Sequence, residues 1–299
     1  MKKTADTRIP ISKLDQIDTF DVMTVALEAG QAIMEIYERD FAVEYKEDDS
    51  PLTEADRKAH EIITEGLNEL AIRNPEPGTP ESALPILSEE GRDIPYGERK
   101  EWEYFWMVDP IDGTKEFIKK NGEFTVNIAL IHRDTPVLGV VYAPALGEIY
   151  WAKKDEGAWK APVDSRWSIV ESEKKKLPLK NSTSNIQHST LTIVASKSHL
   201  NEETQKFIDT ITRHTEHVRL ISRGSSLKLL MVAEGSADVY PRLAPTMEWD
   251  MAAADAIVRE AGGEVNQYLP EQGESMKAVE YNKKELLNPW FVVRFGGRN

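Results

Sequence analysis

Apolar residues recur at helical spacing between Phe20 and Arg39. Val22, Val25, Ala26, Ala29, Ile33, Ile36 and Tyr37 share one face and predict an amphipathic helix. Phe41 to Lys46 alternates and predicts a strand, with Glu47 to Pro51 as its turn. Thr53 is a candidate N-cap with Asp56 at the capping-box offset. The helix it opens is expected to reach about Ile72, with Ile62, Ile63, Leu67 and Leu70 inward. Residues 73–85, rich in proline and polar groups, predict a loop. Ile86-Leu87-Ser88 is a short apolar entry into Glu89-Glu90-Gly91, and Arg92 to Glu101 reads as a charged surface connection. Phe105 to Val108 predicts a buried strand ended by a turn at Asp109-Pro110, with a helical turn over Lys115 to Lys120. Glu123 to His132, Pro136 to Ala143 and Glu148 to Ala152 predict an antiparallel meander, its first turn at Arg133-Asp134-Thr135.

Residues 160–189 shift to lysine, serine and asparagine and read as a peripheral excursion. They are taken as the boundary between a subdomain over 1–160 and another over 161–299. The second half alternates strand and helix. Strands are expected at Leu191 to Ala195, Val218 to Ser222 and Ala237 to Tyr240. Helices are expected from Asn201 to about Thr212, from Leu227 to Glu234, and from Trp249-Asp250 to Ala261 before Gly262-Gly263. A strand-and-loop tail follows from Asn266. This alternation predicts an α/β layer.

With 299 residues, 40% of them apolar, the chain can bury one large core or two packed ones. A formal net charge of −14 argues against a nucleic-acid groove or an anionic membrane surface as partner. It leaves room for a small anionic substrate, because a bound divalent cation inverts the local field. The absence of cysteine excludes disulfides, thiolate metal sites and a cysteine nucleophile. The N-terminal MKKTADTRIPISKLDQ has no apolar region of a signal peptide, and no window approaches a membrane span. A cytoplasmic protein is expected, monomer or homodimer, with peripheral contact at the inner membrane face left open.

Candidate chemistry centres on Asp109 and Asp112, which flank Ile111 at a predicted strand end. Gly113 allows a tight turn, and Thr114 opens a helical turn whose free N–H groups suit phosphate. Two acids beside such a backbone suit a hard cation next to a phosphoester. Singly, each acid has a plainer explanation. Asp-Pro and Asp-Gly are turn pairs, Asp56 is a helix-start carboxylate, and adjacent glutamates are usually solvated.

In order along the chain stand Thr53-Glu54-Ala55-Asp56, Ser88-Glu89-Glu90, Asp109-Pro110-Ile111-Asp112-Gly113-Thr114 and Trp249-Asp250. This pattern resembles the inositol monophosphatase family of metal-dependent phosphatases. Five further stretches narrow it: Gly113 to Ala129, Gly139 to Pro144, Gly224-Ser225-Ser226-Leu227-Lys228, Ala233-Glu234-Gly235 and Tyr240-Pro241-Arg242. They are similar to that family's bacterial 3′(2′),5′-bisphosphate nucleotidases. The likeness covers roughly residues 20 to 295 and departs in the N-terminal arm, the loop at 73–82 and the connection at 160–189.

The resemblance implies a layered α/β/α/β/α fold, α+β in class, of the inositol monophosphatase/fructose-1,6-bisphosphatase type. It implies a magnesium phosphatase with two or three ions, sensitive to lithium. Its substrate would be adenosine 3′,5′-bisphosphate (PAP), converted to AMP, with the phosphosulfate PAPS as a second substrate, in sulfur assimilation. One metal would bind Glu89, Asp109 and the Ile111 carbonyl, another Asp109, Asp112 and Asp250. Glu89 and Thr114 would hold the attacking water, with Asp56 orienting Thr114. Substrate contacts would come from Glu89, Ile111, Asp112, Gly113, Thr114, His199, Ser225, Lys228, Arg242 and Asp250, with Lys228 and Arg242 meeting the second phosphate. His199 and Lys228 also read as surface residues and Ser225 as an N-cap. Two alternatives stand beside this reading. One is an inositol or sugar-phosphate phosphatase. The other is a non-catalytic nucleotide-binding regulator, disfavoured because Asp56, Thr114 and every metal carboxylate are present.

Overall fold

The computed structural model describes residues 13–46, 51–70, 83–179, 190–195, 201–213, 215 and 217–295. Helix α1 (Thr19–Tyr37) starts at Asp18, whose side chain accepts from the Phe20 N–H at 2.9 Å. A small hairpin, β1 (Val43–Tyr45) and β2 (Pro51–Thr53), leads into α2 (Glu54–Glu69). The two helices pack together on one face of a seven-stranded sheet. Its order is β3 (Ile86–Ser88), β4 (Tyr104–Asp112), β5 (Thr125–His132), β6 (Thr135–Ala143), β7 (Glu148–Lys153), β8 (Gly157–Pro162) and β9 (Lys175–Lys176). Only the β3–β4 pairing is parallel.

The sheet is covered on both faces, so its strands read as continuous apolar runs rather than as alternation. In β5, Val126, Ile128 and Leu130 pack toward α1 and α2, while Ala129 and Ile131 pack toward the other side. That other side holds α6 (Leu227–Ala233) and α7 (Ala252–Glu260). Beyond them lies a six-stranded sheet made of β10 (Leu191–Ala195), β11 (Val218–Ser222), β12 (Val239–Arg242), β13 (Gly263–Leu269), β14 (Gly273–Ala278) and β15 (Phe291–Phe295). Its order is β11-β10-β12-β15-β13-β14. Helix α5 (Glu202–Thr212) covers its far face through Phe207. The layers are therefore helix, sheet, helix, sheet, helix, as expected. At Gly139 in β6 a Cβ would stand 2.1 Å from the Ala253 carbonyl oxygen, so α7 lies with its backbone directly on the strand.

Several local expectations are corrected. Strand β4 does not end at Asp109-Pro110 but runs on to Asp112. A bulge between Asp109 and Asp112 breaks the ladder with β5, so Pro110, which has no N–H, needs no partner there. Helix α2 stops at Glu69, short of Ile72, and Ile62 and Leu70 are half-buried rather than core. The connection after Arg92 holds a short helix, α3 (Tyr96–Arg99). Its Arg99 is 2% exposed and donates to the Asn282 side chain and to the carbonyls of Lys283 and Lys284. In the expected excursion, Lys175–Lys176 form β9 on the edge of the first sheet, with Lys174 and Lys176 over the Trp159 ring. Trp249-Asp250 forms a turn, and α7 begins only at Ala252. The tail adds two strands, one of which, β15, inserts between β12 and β13. Among the described residues no helix is long and apolar enough to cross a membrane.

Candidate active site

The bulged end of β4 points into a short helix, α4 (Thr114–Ile118), through Gly113 at φ +94°. A side chain at 113 would be strained by that φ and would press on the Glu123 carbonyl at 3.2 Å. Thr114 follows immediately. Its Oγ1 lies 3.2 Å from both Asp56 Oδ1 and the Ile111 carbonyl. Asp56 reaches this corner from the first turn of α2, and its two oxygens have different work. Oδ2 accepts from the Thr53 N–H at 2.7 Å and the Thr53 hydroxyl at 2.6 Å, completing the capping box, while Oδ1 faces Thr114.

Glu89 enters from the end of β3, which runs parallel to β4 and so brings Ser88 level with Val108. Lys46, just past β1, donates to Glu89 at 3.1 Å and to Glu90 at 2.5 Å. Asp250 arrives from the turn before α7, where its Oδ2 accepts from the Met247 N–H at 2.9 Å.

These acids repel one another. Burial pushes the Asp109 carboxyl well above its usual range, and the charges of Glu89, Asp112, Asp250 and Asp56 push it further. Burial also raises Asp250, to about 8, with Asp112 the next cause. Asp112 is raised by burial and partly relieved by Lys228. Asp109 Oδ1 is buried without a hydrogen-bond partner. Among the described residues no three carboxylate or imidazole side chains stand close enough to enclose an ion as they are placed. The donor chemistry nevertheless fits a hard divalent cation: oxygen ligands only, half-buried around a buried Asp109, mutually repelling, one oxygen unpartnered.

The opposite wall comes from the second sheet and α6. Together the walls enclose a cleft of about 310 Å³, within the range of small-molecule sites. Lys228 lies in α6, is only 6% exposed, and is pushed down to about 8 by burial. Its ammonium donates to the Ser225 carbonyl at 2.5 Å and sits 5.6 Å from the Tyr240 ring centre. Arg242, at the end of β12, donates to the Pro245 carbonyl at 2.8 Å, and its Nε is buried without a partner. The Ser226 N–H donates to Asp112 Oδ2 at 2.5 Å and ties the two walls together.

Glu89, Asp112, Gly113, Thr114, Ser225, Lys228, Arg242 and Asp250 all line this one cleft. Asp109 and Ile111 lie beneath it in β4, and Asp56 behind Thr114. His199 falls outside the described residues. Lys228 is no surface lysine, and Ser225 is not the N-cap of α6, a position held by Ser226. The motifs assigned no role to Lys46, Tyr240, Glu123 or Arg223. For Glu123 a signal exists: polar Glu123, Thr125 and Asn127, two residues apart, interrupt an otherwise apolar strand.

The family model described as the inositol monophosphatase family matches residues 13–288. The chain is 44% identical over 276 residues to the 3′(2′),5′-bisphosphate nucleotidase CysQ of Salmonella typhimurium, covering 91% of this chain and 97% of that protein. The Escherichia coli K12 protein of the same name is 41% identical over an equal length and the same shares. A crystal structure of CysQ from Bacteroides thetaiotaomicron superposes with a TM-score of 0.77 at 43% identity, covering 95% of this chain and 98% of that one. An inositol monophosphatase from Thermotoga maritima shares the fold alone, with a TM-score of 0.66 at 24% identity over 94% of this chain and 93% of that one. With its layers, its acidic corner and these relatives in agreement, the chain belongs to the inositol monophosphatase family, among its CysQ-type bisphosphate nucleotidases.

Proposed function

We propose that the protein is a magnesium-dependent phosphatase that removes the 3′-phosphate of adenosine 3′,5′-bisphosphate, leaving AMP. One observation carries the reading: half-buried, mutually repelling carboxylates, with Asp109 buried beneath them, face a buried lysine and an arginine across a single small cleft. The first group suits metal-assisted hydrolysis. The second suits a substrate with a second phosphate, which inositol monophosphate lacks.

Glu89, Asp109 with the Ile111 carbonyl, Asp112 and Asp250 would hold the magnesium. Bound there, the metal supplies an activated water and stabilises the leaving oxygen. Thr114 Oγ1 would accept a hydrogen bond from the water opposite Glu89, because its own proton is donated toward Asp56 and the Ile111 carbonyl. The backbone at Gly113–Thr114 would receive the reacting phosphate. Lys228 and Arg242 would bind the second phosphate, and Ser225 the nucleoside. PAPS, which shares the 3′-phosphate, is the natural second substrate.

The test is phosphate release from adenosine 3′,5′-bisphosphate and from inositol 1-phosphate, with magnesium, with chelator and with lithium. Magnesium-dependent, lithium-inhibited release from the nucleotide supports the reading. Preference for inositol 1-phosphate would keep the metal wall and overturn the assignment of Lys228 and Arg242.

A further inference from the structure

Three polar residues spaced two apart meet four successive residues, Arg223 to Ser226, before α6. Thr125 Oγ1 lies 2.6 Å from Ser225 Oγ and 2.9 Å from Ser226 Oγ, and Ser226 Oγ lies 3.1 Å from Asn127 Oδ1. Glu123 makes the outermost of these contacts. One of its oxygens accepts from the Arg223 guanidinium at 2.7 Å and the other from the Gly224 N–H at 2.8 Å. Its own N–H donates to the Asn121 side chain at 2.9 Å, which holds it in place. The fit at Gly224 is close: a Cβ there would stand 2.7 Å from the Glu123 carbonyl oxygen and 3.0 Å from the Glu116 side chain. The next residue, Ser225, has φ +54°, a conformation that a non-glycine residue holds only when its surroundings enforce it. Ser225 and Lys228 both line the cleft, and Lys228 bonds the Ser225 carbonyl.

We propose that Glu123 is a positioning residue for substrate recognition: by gripping Arg223 and Gly224 it fixes the turn that presents Ser225 and Lys228 to the cleft. This rests on the reading of those two residues as nucleotide contacts. Glu123 itself bonds neither the carboxylate cluster nor Thr114, and Ser226, whose N–H holds Asp112, is pinned separately by Thr125 and Asn127. Its loss therefore acts on affinity for the nucleotide and leaves the hydrolytic step intact.

The test compares Glu123→Ala and Glu123→Gln in the full chain with magnesium. In Glu123→Ala, KM for adenosine 3′,5′-bisphosphate rises about tenfold, the size of one lost charged hydrogen bond. Both kcat and the efficiency on inositol 1-phosphate stay within about twofold. Glu123→Gln keeps an acceptor for the Gly224 N–H and falls between wild type and Glu123→Ala. Amide exchange at Gly224 quickens in Glu123→Ala while Ser226, held by Asp112, and Val126 to Leu130 stay protected. An unchanged KM, an equal loss on both substrates, or unchanged exchange at Gly224 would overturn the proposal. A wild-type protein that ignores the nucleotide would sink the nucleotidase reading instead, and the exchange rates would still decide whether Glu123 pins the turn.

Discussion

The two walls of the cleft solve opposite electrostatic problems. The acidic wall is frustrated: Asp109 is buried beside half-buried Asp112 and Asp250, all three carboxyls are pushed up by desolvation, Asp109 and Asp250 further by neighbouring acids, and an oxygen of Asp109 is left unpartnered. The basic wall is mostly satisfied from within, Lys228 by the Ser225 carbonyl and Arg242 by the Pro245 carbonyl. A wall that stays costly until a cation arrives defines the chemistry. A wall that is already held in shape selects what is presented to it.

The largest effect should come from discharging the first wall. Asp109→Asn is expected to lower phosphate release by about 10³-fold, the scale of removing a main electrostatic group from such a site. The same substitution should raise the melting temperature of the metal-free protein, because it removes a carboxyl whose ionisation burial and the neighbouring acids oppose. A lower melting temperature would mean that Asp109 is held for structure and not for a cation.

Next in size, the two jobs of Asp56 can be separated. Thr53→Ala should cost only about 1 kcal/mol of stability, as a lost cap. Thr114→Val should cost about 10²-fold in kcat and little stability, with Thr114→Ser restoring the rate. Equal rate losses from both would merge the cap and the catalytic corner into one unit.

On the basic wall, Arg242→Ala should lower kcat/KM for the nucleotide about 10- to 30-fold while barely touching inositol 1-phosphate. Parallel losses on both substrates would place Arg242 with the metal wall.

The smallest effects are in pH. Lys228, lowered to about 8, loses its charge as pH rises past that value, so KM for the nucleotide should climb on the alkaline side. Asp250, raised to about 8, binds protons in the folded state that the unfolded chain has released. Its contribution to stability therefore falls as pH rises from the ordinary carboxylate range to about 8. Magnesium should raise the melting temperature by more at pH 8 than at pH 6, by about a few degrees.

The acidic wall was largely legible because its central part is one contiguous run, Asp109 to Thr114, and chain-local spacing survives folding. Even there the turn expected at Asp109-Pro110 proved to be a bulged strand, since proline's missing N–H suits a break in a ladder as well as a turn. The basic wall was legible only by resemblance. Whether Lys228 is solvated or buried depends on Tyr240 and Ser225, which other elements bring to it. Glu123 and Arg223 stand 100 residues apart, and no local pattern couples them. Most helices and strands followed from periodicity in outline, and their five-layer stacking from the resemblance. The insertion of β15 between β12 and β13 did not, because strand order is a tertiary fact.

Gly139 takes no part in any reaction, yet it determines how near the start of α7, and with it Asp250, comes to the sheet that carries Asp109. A single added methyl would lift that helix from β6, a strain of about 1–3 kcal/mol. The gauge of the active site is thus kept by an inert residue. In an evolving lineage, drift at position 139 would register as a catalytic change with every acid of the cleft still in place.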